Sequence, residues 1–302
     1  MPESSLRAEI YSQPDCWSAA TDEAGRHAGR LPAPGERVGV IGCGTSLYVA
    51  RAYAFLREHA GRGVTDAWPA SEARLGRGYD RIVAITRSGT TTEILTALDQ
   101  YRATGGTAPV TILTATADTP VQSRGDTITL AQFDEASVVQ TRFATSTLAL
   151  LRAHLGEDLT PAIAQAKEIL AEPPAEQERS LAAVRTAGQI AFVGMGLGAA
   201  LAEEAALKLR EATQSWAESY PATEYRHGPI SIAQPGRAVW SLGPLVPDFE
   251  RDVAATGAHL EHRDVDPMAE LVRVHLLCLL RAADLGLDPA NPRNLTRAVI
   301  LT

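Results

Sequence analysis

Val38-Gly39-Val40-Ile41-Gly42 runs directly into Cys43-Gly44-Thr45-Ser46, and from Leu47 onward the chain becomes alanine-rich and helical in pattern. A short unbroken apolar run of this kind suits a strand buried on both faces, as in a parallel sheet. The segment therefore predicts a strand–turn–helix unit. A second copy follows: Arg81-Ile82-Val83-Ala84-Ile85 leads into Thr86-Arg87-Ser88-Gly89-Thr90-Thr91-Thr92, with a helix from Glu93. Pro109 to Thr114 and Asp126 to Leu130 read as two more strands. Strands alternating with helices predict an α/β chain with a doubly wound parallel sheet.

Working outward, residues 1–35 read as a helical lead-in closed by Pro32 and Pro34, and residues about 140–170 as one long helical stretch. Glu172-Pro173-Pro174-Ala175-Glu176 is the best linker, dividing the chain into domains 1–172 and 173–302. The pattern then restarts. Gln189 to Val193 is a strand, Gly194-Met195-Gly196-Leu197-Gly198 a turn, and Ala199 to about Glu218 a helix. Ala238 to Leu242 is a further strand and Leu271 to Ala283 an apolar helix, so the two halves share an element order that implies duplication.

The 302 residues, 45% apolar and 21% charged, are those of a globular chain with room for two cores. A formal charge of −8 argues against nucleic acid as a partner, because phosphate backbones are met by basic patches. No apolar run of about 18 residues is present to span a membrane, and the N-terminus lacks an apolar signal core. A cytoplasmic location is expected. Cys16, Cys43 and Cys278 are scattered and show no metal-ligand spacing, so no metal site is expected.

Thr86-Arg87-Ser88-Gly89-Thr90-Thr91 gathers four hydroxyls and a guanidinium around a glycine, between a strand and a helix. Hydroxyls, free amides and a helix N-terminus together favour an anion such as phosphate. An ordinary Ser/Thr-rich helix cap gives the same composition. Gly42-Cys43-Gly44-Thr45-Ser46 stands at the same station of the neighbouring unit, where open sheets form ligand crevices. Neither loop is a Walker loop, and Gly194-Met195-Gly196-Leu197-Gly198 has the wrong glycine spacing for a dinucleotide. No cofactor is expected.

Glu204, Lys208 and Glu211 fall at i, i+4 and i+7, which places carboxylate, ammonium and carboxylate on one helix face. A solvated salt-bridge stripe has the same pattern. Ala205, Ala206, Leu207 and Leu209 crowd those turns, however, and argue that the helix is largely buried. Lys208 and Lys167 are the only lysines, so an amine is retained here in a chain that otherwise uses arginine. His227-Gly228-Pro229 then leaves an imidazole on a loop.

Together, Gly42-Cys43-Gly44-Thr45-Ser46, Thr86-Arg87-Ser88-Gly89-Thr90-Thr91, the helix Glu204 to Glu211 and His227-Gly228-Pro229 resemble the sugar isomerase (SIS) family. The resemblance is strongest to the isomerase half of glucosamine-6-phosphate synthase and to SIS-type deaminases, and runs from Glu9 to the tail Asn291-Pro292-Arg293-Asn294-Leu295. It implies two SIS subdomains, each a doubly wound, flavodoxin-like parallel sheet flanked by helices. By resemblance, Gly44, Thr45, Ser46, Thr86, Ser88 and Thr91 bind a sugar phosphate, and Arg87 stands where the synthase has glutamine, adding a cation beside it. Glu211 matches the base that moves a proton between C1 and C2. Glu204 and Lys208 match its neighbours, and His227 the ring-opening imidazole, supplied in that family by the other subunit of a homodimer.

Two departures bear on the chemistry. The chain carries no glutaminase domain or N-terminal cysteine nucleophile, so ammonia release from glutamine is not expected. Arg297 replaces the tail lysine that could form a Schiff base, and a guanidinium does not attack a carbonyl, so Arg297 is expected to clamp substrate or the C-terminus. The expected activity is general-base proton abstraction at C2 of a phosphorylated amino sugar, giving isomerisation with deamination of glucosamine 6-phosphate to fructose 6-phosphate and ammonia. The alternatives are elimination of water from N-acetylglucosamine 6-phosphate and a sugar-phosphate sensor without turnover.

Overall fold

The computed structural model describes residues 5–301. In chain order its helices are α1 (Ser5–Tyr11), α2 (Gln13–His27), α3 (Thr45–His59), α4 (Thr92–Ala103), α5 (Arg142–His154) and α6 (Thr160–Ala171). They continue with α7 (Pro174–Ser180), α8 (Ala182–Thr186), α9 (Leu197–Thr213), α10 (Phe249–Ala254) and α11 (Pro267–Asp284). The strands are β1 (Val38–Gly42), β2 (Thr65–Pro69), β3 (Arg81–Ile85), β4 (Val110–Thr114), β5 (Asp126–Thr129), β6 (Ile190–Gly194), β7 (Ala217–Pro221), β8 (Ala238–Leu242) and β9 (His259–His262).

They form two parallel sheets, ordered β2-β1-β3-β4-β5 and β7-β6-β8-β9. In both sheets the founding strand lies inside, pairing with the next strand on one side and the third on the other. That is the doubly wound arrangement expected from alternating strands and helices. Every residue of β1, β4, β6 and β8 is buried, which is why these strands are unbroken apolar runs in the sequence.

The same turn starts both sheets. Gly44 (φ 53°) and Gly196 (φ 55°) precede α3 and α9 in a left-handed conformation that other residues resist. Two residues earlier, a Cβ on Gly42 would lie 2.5 Å from Ser46 backbone atoms, and one on Gly194 2.3 Å from the Gly198 backbone. Glycine at both stations lets the helix start press against the strand end. The turns differ in what they present: Thr45-Ser46 in one, Leu197-Gly198 in the other.

The chain divides into one unit of Met1–Pro14 with Thr160–Asn294, around the second sheet, and another of Asp15–Leu159 with Leu295–Thr302, around the first. This differs from the division at 172/173. The predicted long helix over 140–170 breaks at Gly156 (φ 93°), and α6 packs on α11 with the second sheet. The predicted linker instead starts α7, with Pro173 at its N-cap. In the first-sheet unit, Trp17 is fully buried and its indole N–H donates to Thr145 Oγ1 at 2.9 Å, pinning α2 to α5.

The helix predicted from Ala199 to about Glu218 ends earlier. Gln214 turns left-handed (φ 55°), and the Thr213 hydroxyl donates to Leu209 O at 2.6 Å. Ala217–Pro221 is then the edge strand β7.

Candidate functional site

In the first-sheet unit, the turns after β1 and β3 and the tail residue Arg297 enclose a small pocket of about 30 Å³. Its walls include Cys43, Ser46, Thr86, Arg87, Ser88, Thr91, Gln140 and Arg297. The volume suits about two waters or one small oxyanion. Ser46, Thr86 and Ser88 are buried. Thr86 Oγ1 accepts from Gly89 N–H at 3.3 Å, while Ser88 Oγ accepts from Thr90 N–H at 3.2 Å and from the Thr90 hydroxyl at 3.1 Å. Both hydroxyls act as acceptors inside the loop, and each keeps its own proton to donate. Thr91 stands at the N-cap of α4 and makes no capping bond with its side chain. Donors at a helix N-terminus suit an anion. Gly44 and Thr45 shape the turn without lining the pocket.

Arg87 reaches this wall differently from the expectation of a cation free for phosphate. Its side chain is 1% exposed, with Nη1 3.6 Å from Glu135 Oε1. Nη1 donates to Ser137 O at 2.7 Å, and Nη2 donates to Val138 O at 3.1 Å and Arg297 O at 3.2 Å. Glu135 in turn accepts from the backbone N–H groups of Thr141 and Arg142, both at 2.9 Å, and so caps α5. The Arg87 charge is thereby engaged in holding the 135–138 loop and the tail. Arg297 is held from its own side, donating to Glu135 O and pairing with Asp134. The tail closes on α4: Thr92 N–H donates to Val299 O at 3.2 Å and Leu301 N–H to Thr92 Oγ1 at 2.9 Å.

Two wall residues were not legible as site residues. Gln140 lies in an irregular polar loop without periodicity, yet its Oε1 is buried without a hydrogen-bond partner. Cys43 sat inside a quoted motif but had no assigned role. Its thiol is pushed up to about 11 by burial, aided by the Glu93 carboxylate, and so stays protonated near neutrality.

In the second-sheet unit, α9 and α11 bury the acid–amine cluster. Lys208 is 1% exposed and Glu204 2% exposed. Lys208 Nζ donates to Glu211 Oε2 at 2.5 Å and lies 3.6 Å from Glu204 Oε1. The Glu211 side chain is 18% exposed, so the cluster reaches solvent through this carboxylate. The face is a buried charge cluster and not a solvated stripe. Holding an ammonium there needs both carboxylates, since an unpaired buried charge costs several kcal/mol.

Behind this cluster, His275 on α11 is fully buried. Gln13 Nε2 lies 3.2 Å from Ile10 O and 3.1 Å from His275 Nδ1. The Ile10 carbonyl fixes the amide nitrogen as the donor, so Nδ1 accepts and the imidazole is neutral. Burial, with Lys208 adding to it, pushes His275 down to about 3. An unfolded histidine binds its proton near 6.5, so between about 6.5 and 3 the unfolded chain holds more protons. His275 therefore costs nothing above about 6.5, and stability falls as pH drops below it, by up to ~1.4 kcal/mol per unit. Denaturant unfolding at pH 7 and pH 5 is expected to show this loss, and His275→Gln to reduce it. Equal pH slopes in the two proteins would refute the assignment.

His227 ends the short 3-10 turn Glu224–His227 and is exposed, with Gly228 (φ 142°) redirecting the chain after it. Among the described residues, no group of three or more His, Cys, Asp or Glu is placed to hold a metal, and no helix is long and apolar enough to cross a membrane.

Residues 33–155 match the SIS domain family. Glutamine--fructose-6-phosphate aminotransferase [isomerizing] of Aeropyrum pernix is 27% identical over 96% of this chain and 56% of its own length. Its namesake from Sulfurisphaera tokodaii is 28% identical over 87% of this chain and 50% of its own. The chain thus spans about half the length of these curated relatives. Among solved structures, glucosamine-6-phosphate deaminase from Thermotoga maritima superposes with a TM-score of 0.79 at 21% identity, covering 99% of this chain and all of the other. Tagatose-6-phosphate ketose/aldose isomerase from Escherichia coli gives 0.75 at 16% identity, covering 99% and 96%. These likenesses extend the two-sheet fold over the whole chain, and residues 33–155, which hold the first sheet, are the part that matches the SIS domain family.

Proposed function

We propose that the chain is a phosphosugar enzyme that abstracts the C2 proton of a hexosamine 6-phosphate, isomerising it and releasing ammonia. The observation that carries this reading is the hydroxyl-lined pocket at the N-terminus of α4, which has the donors and the size for a phosphate group. The relatives support the substrate class, since their names concern fructose 6-phosphate, glucosamine 6-phosphate and tagatose 6-phosphate.

The chemistry follows from the side chains. His227 passes a proton to the ring oxygen as the sugar opens. Glu211, oriented by the Lys208 ammonium, takes the C2 proton, and the electron pair moves into an enol at C1–C2. Returning the proton to C1 leaves an imine at C2. Water hydrolyses it to the ketose, and the nitrogen departs as ammonia. Arg297 stays protonated and forms no covalent imine with the sugar. In the homodimer proposed here, exposed His227 serves the site of the neighbouring subunit.

Incubation with glucosamine 6-phosphate in deuterium oxide tests this reading: deuterium in the product and ammonia in solution are expected, and neither should appear without enzyme. Loss of one water from N-acetylglucosamine 6-phosphate instead would identify the elimination chemistry. At the pocket, Ser88→Ala removes one hydroxyl donor to a charged group, worth about 1.5–3 kcal/mol. Calorimetry is expected to show phosphosugar affinity weakened by about ten-fold or more. Unchanged affinity would place the phosphate elsewhere.

A further inference from the structure

A second concave site lies in the second-sheet unit and belongs to none of the groups discussed so far. Gln189, Trp216 and Arg237 stand immediately before β6, β7 and β8, so the N-terminal ends of three adjacent strands open onto one groove of about 590 Å³. That volume is typical of small-molecule pockets. Its floor includes the Trp216 indole, which is 70% exposed although indole is costly to leave in water.

The charges in this groove are arranged unusually. Glu218 Oε1 accepts from Trp216 Nε1 and Oε2 from Gln189 Nε2, each at 3.2 Å, and Gln189 is only 7% exposed. These neutral donors, together with the Tyr220 hydroxyl, fix the carboxylate in place and leave it acceptor capacity for one more partner. Arg237 lines the same groove, and its Nη1 donates to Ile232 O at 2.6 Å. Among the described residues neither Glu218 nor Arg237 has an oppositely charged side chain within 4 Å, whereas the arginines Arg30, Arg81, Arg185 and Arg263 all do. An anion and a cation therefore face one groove without neutralising each other. A ligand that carried both charges would complete the two at once.

We propose that this groove binds a small zwitterion, its ammonium on Glu218, its oxyanion on Arg237 and its apolar body against the Trp216 face. Such a ligand is an α-amino acid or an amino sugar phosphate. The proposal stands independently of the reaction assigned to the chain.

Fluorescence titration of the full chain tests it. Trp17 and Trp240 are fully buried and Trp68 half-buried, so a response lost in Trp216→Phe reports this groove. The probes are L-leucine and glucosamine 6-phosphate, which carry both signs of charge, with glucosamine (cation only) and fructose 6-phosphate (anion only) as controls of one sign. A saturable response to at least one zwitterion is expected, weakened ten-fold or more by Glu218→Gln and by Arg237→Gln. It should survive Ser88→Ala, which alters only the hydroxyl pocket. The zwitterion that responds identifies the source. The proposal falls if the controls of one sign respond equally, if neither charge substitution weakens binding, or if Trp216 proves to be covered by self-association that Trp216→Asp abolishes and no zwitterion shifts its emission.

Discussion

Glu211→Gln is expected to lower the rate of C2 hydrogen exchange in glucosamine 6-phosphate by about 10²–10⁴-fold, the range of a general base. The substitution is nearly isosteric, and the amide oxygen can still accept from Lys208 Nζ, which now donates to Glu211 Oε2 at 2.5 Å. What is lost is the capacity to take a proton. Affinity for the phosphosugar, which the proposal places on the hydroxyls of the first-sheet unit, should change by no more than a few-fold. A loss in kcat without a matching loss in binding is the signature of an interaction made in the transition state. Lys208→Met is the sharper structural control. It removes the amine between two carboxylates, one of them 2% exposed, and should destabilise the fold where Glu211→Gln does not. If Glu211→Gln keeps a tenth or more of the exchange rate, the base is another residue.

The fold was legible where sequence and burial carry the same period. β1, β3, β4, β6 and β8 are interior strands, and interior parallel strands are continuous apolar runs. The strands not foreseen, β2, β7 and β9, are all sheet edges. Their sequences Thr65-Asp66-Ala67-Trp68-Pro69, Ala217-Glu218-Ser219-Tyr220-Pro221 and His259-Leu260-Glu261-His262 are half-buried and mixed, and propensity alone does not separate them from loop or helix. β7 was absorbed into the preceding helix because Glu211-Ala212-Thr213 gives no stop signal. The stop is a left-handed Gln214, a conformation that glycine or asparagine would have announced.

The candidate site was legible for a different reason. Residue type and spacing give Ser46, Thr86, Ser88 and Thr91 to one pocket wall and Glu204, Lys208 and Glu211 to one buried cluster. Arg87 lines the pocket as its place in the hydroxyl loop suggests, but a sequence cannot tell that its guanidinium also holds the protein behind it. Here Glu135, far along the chain and itself capping α5, pairs with that charge. The duplicated turn explains the division of labour. The backbone at Gly42–Ser46 and Gly194–Gly198 is alike, so what sets the first apart, and lets the proposed phosphate site fall there, is the pair of hydroxyl side chains that the second replaces with Leu197 and Gly198.

Arg273→Met is expected to lower stability by about 3–5 kcal/mol, the cost of breaking a buried ion pair from one side. Arg273 on α11 is 2% exposed, donating from Nη1 to Glu270 Oε1 at 2.6 Å and from Nη2 to Glu261 Oε1 at 2.7 Å. Its guanidinium lies 5.2 Å from the Trp240 ring centroid, and the Trp240 indole also donates to Glu270 Oε1 at 2.6 Å. The network ties α11 to β8 and β9, so removing the cation leaves two carboxylates facing each other in the core. Burial already raises the Glu270 carboxyl above its usual range even with Arg273 in place. Without the cation it would hold its proton to higher pH still, while an unfolded glutamate releases it near 4.5. The folded state would then bind more protons above that point, and stability would fall as pH rises. The variant should therefore lie closest to the wild type in acid and furthest from it near neutrality. Adding Glu270→Leu to Arg273→Met removes the orphaned acid and should recover part of the loss, since a fully apolar replacement of a buried pair is often tolerated. Denaturant unfolding at pH 5 and pH 7.5 on the wild type, the single and the double variant measures all three effects. A single variant within 1 kcal/mol of the wild type at pH 7.5, where a loss of several is expected, would mean that water reaches these carboxylates and that the network does not brace α11.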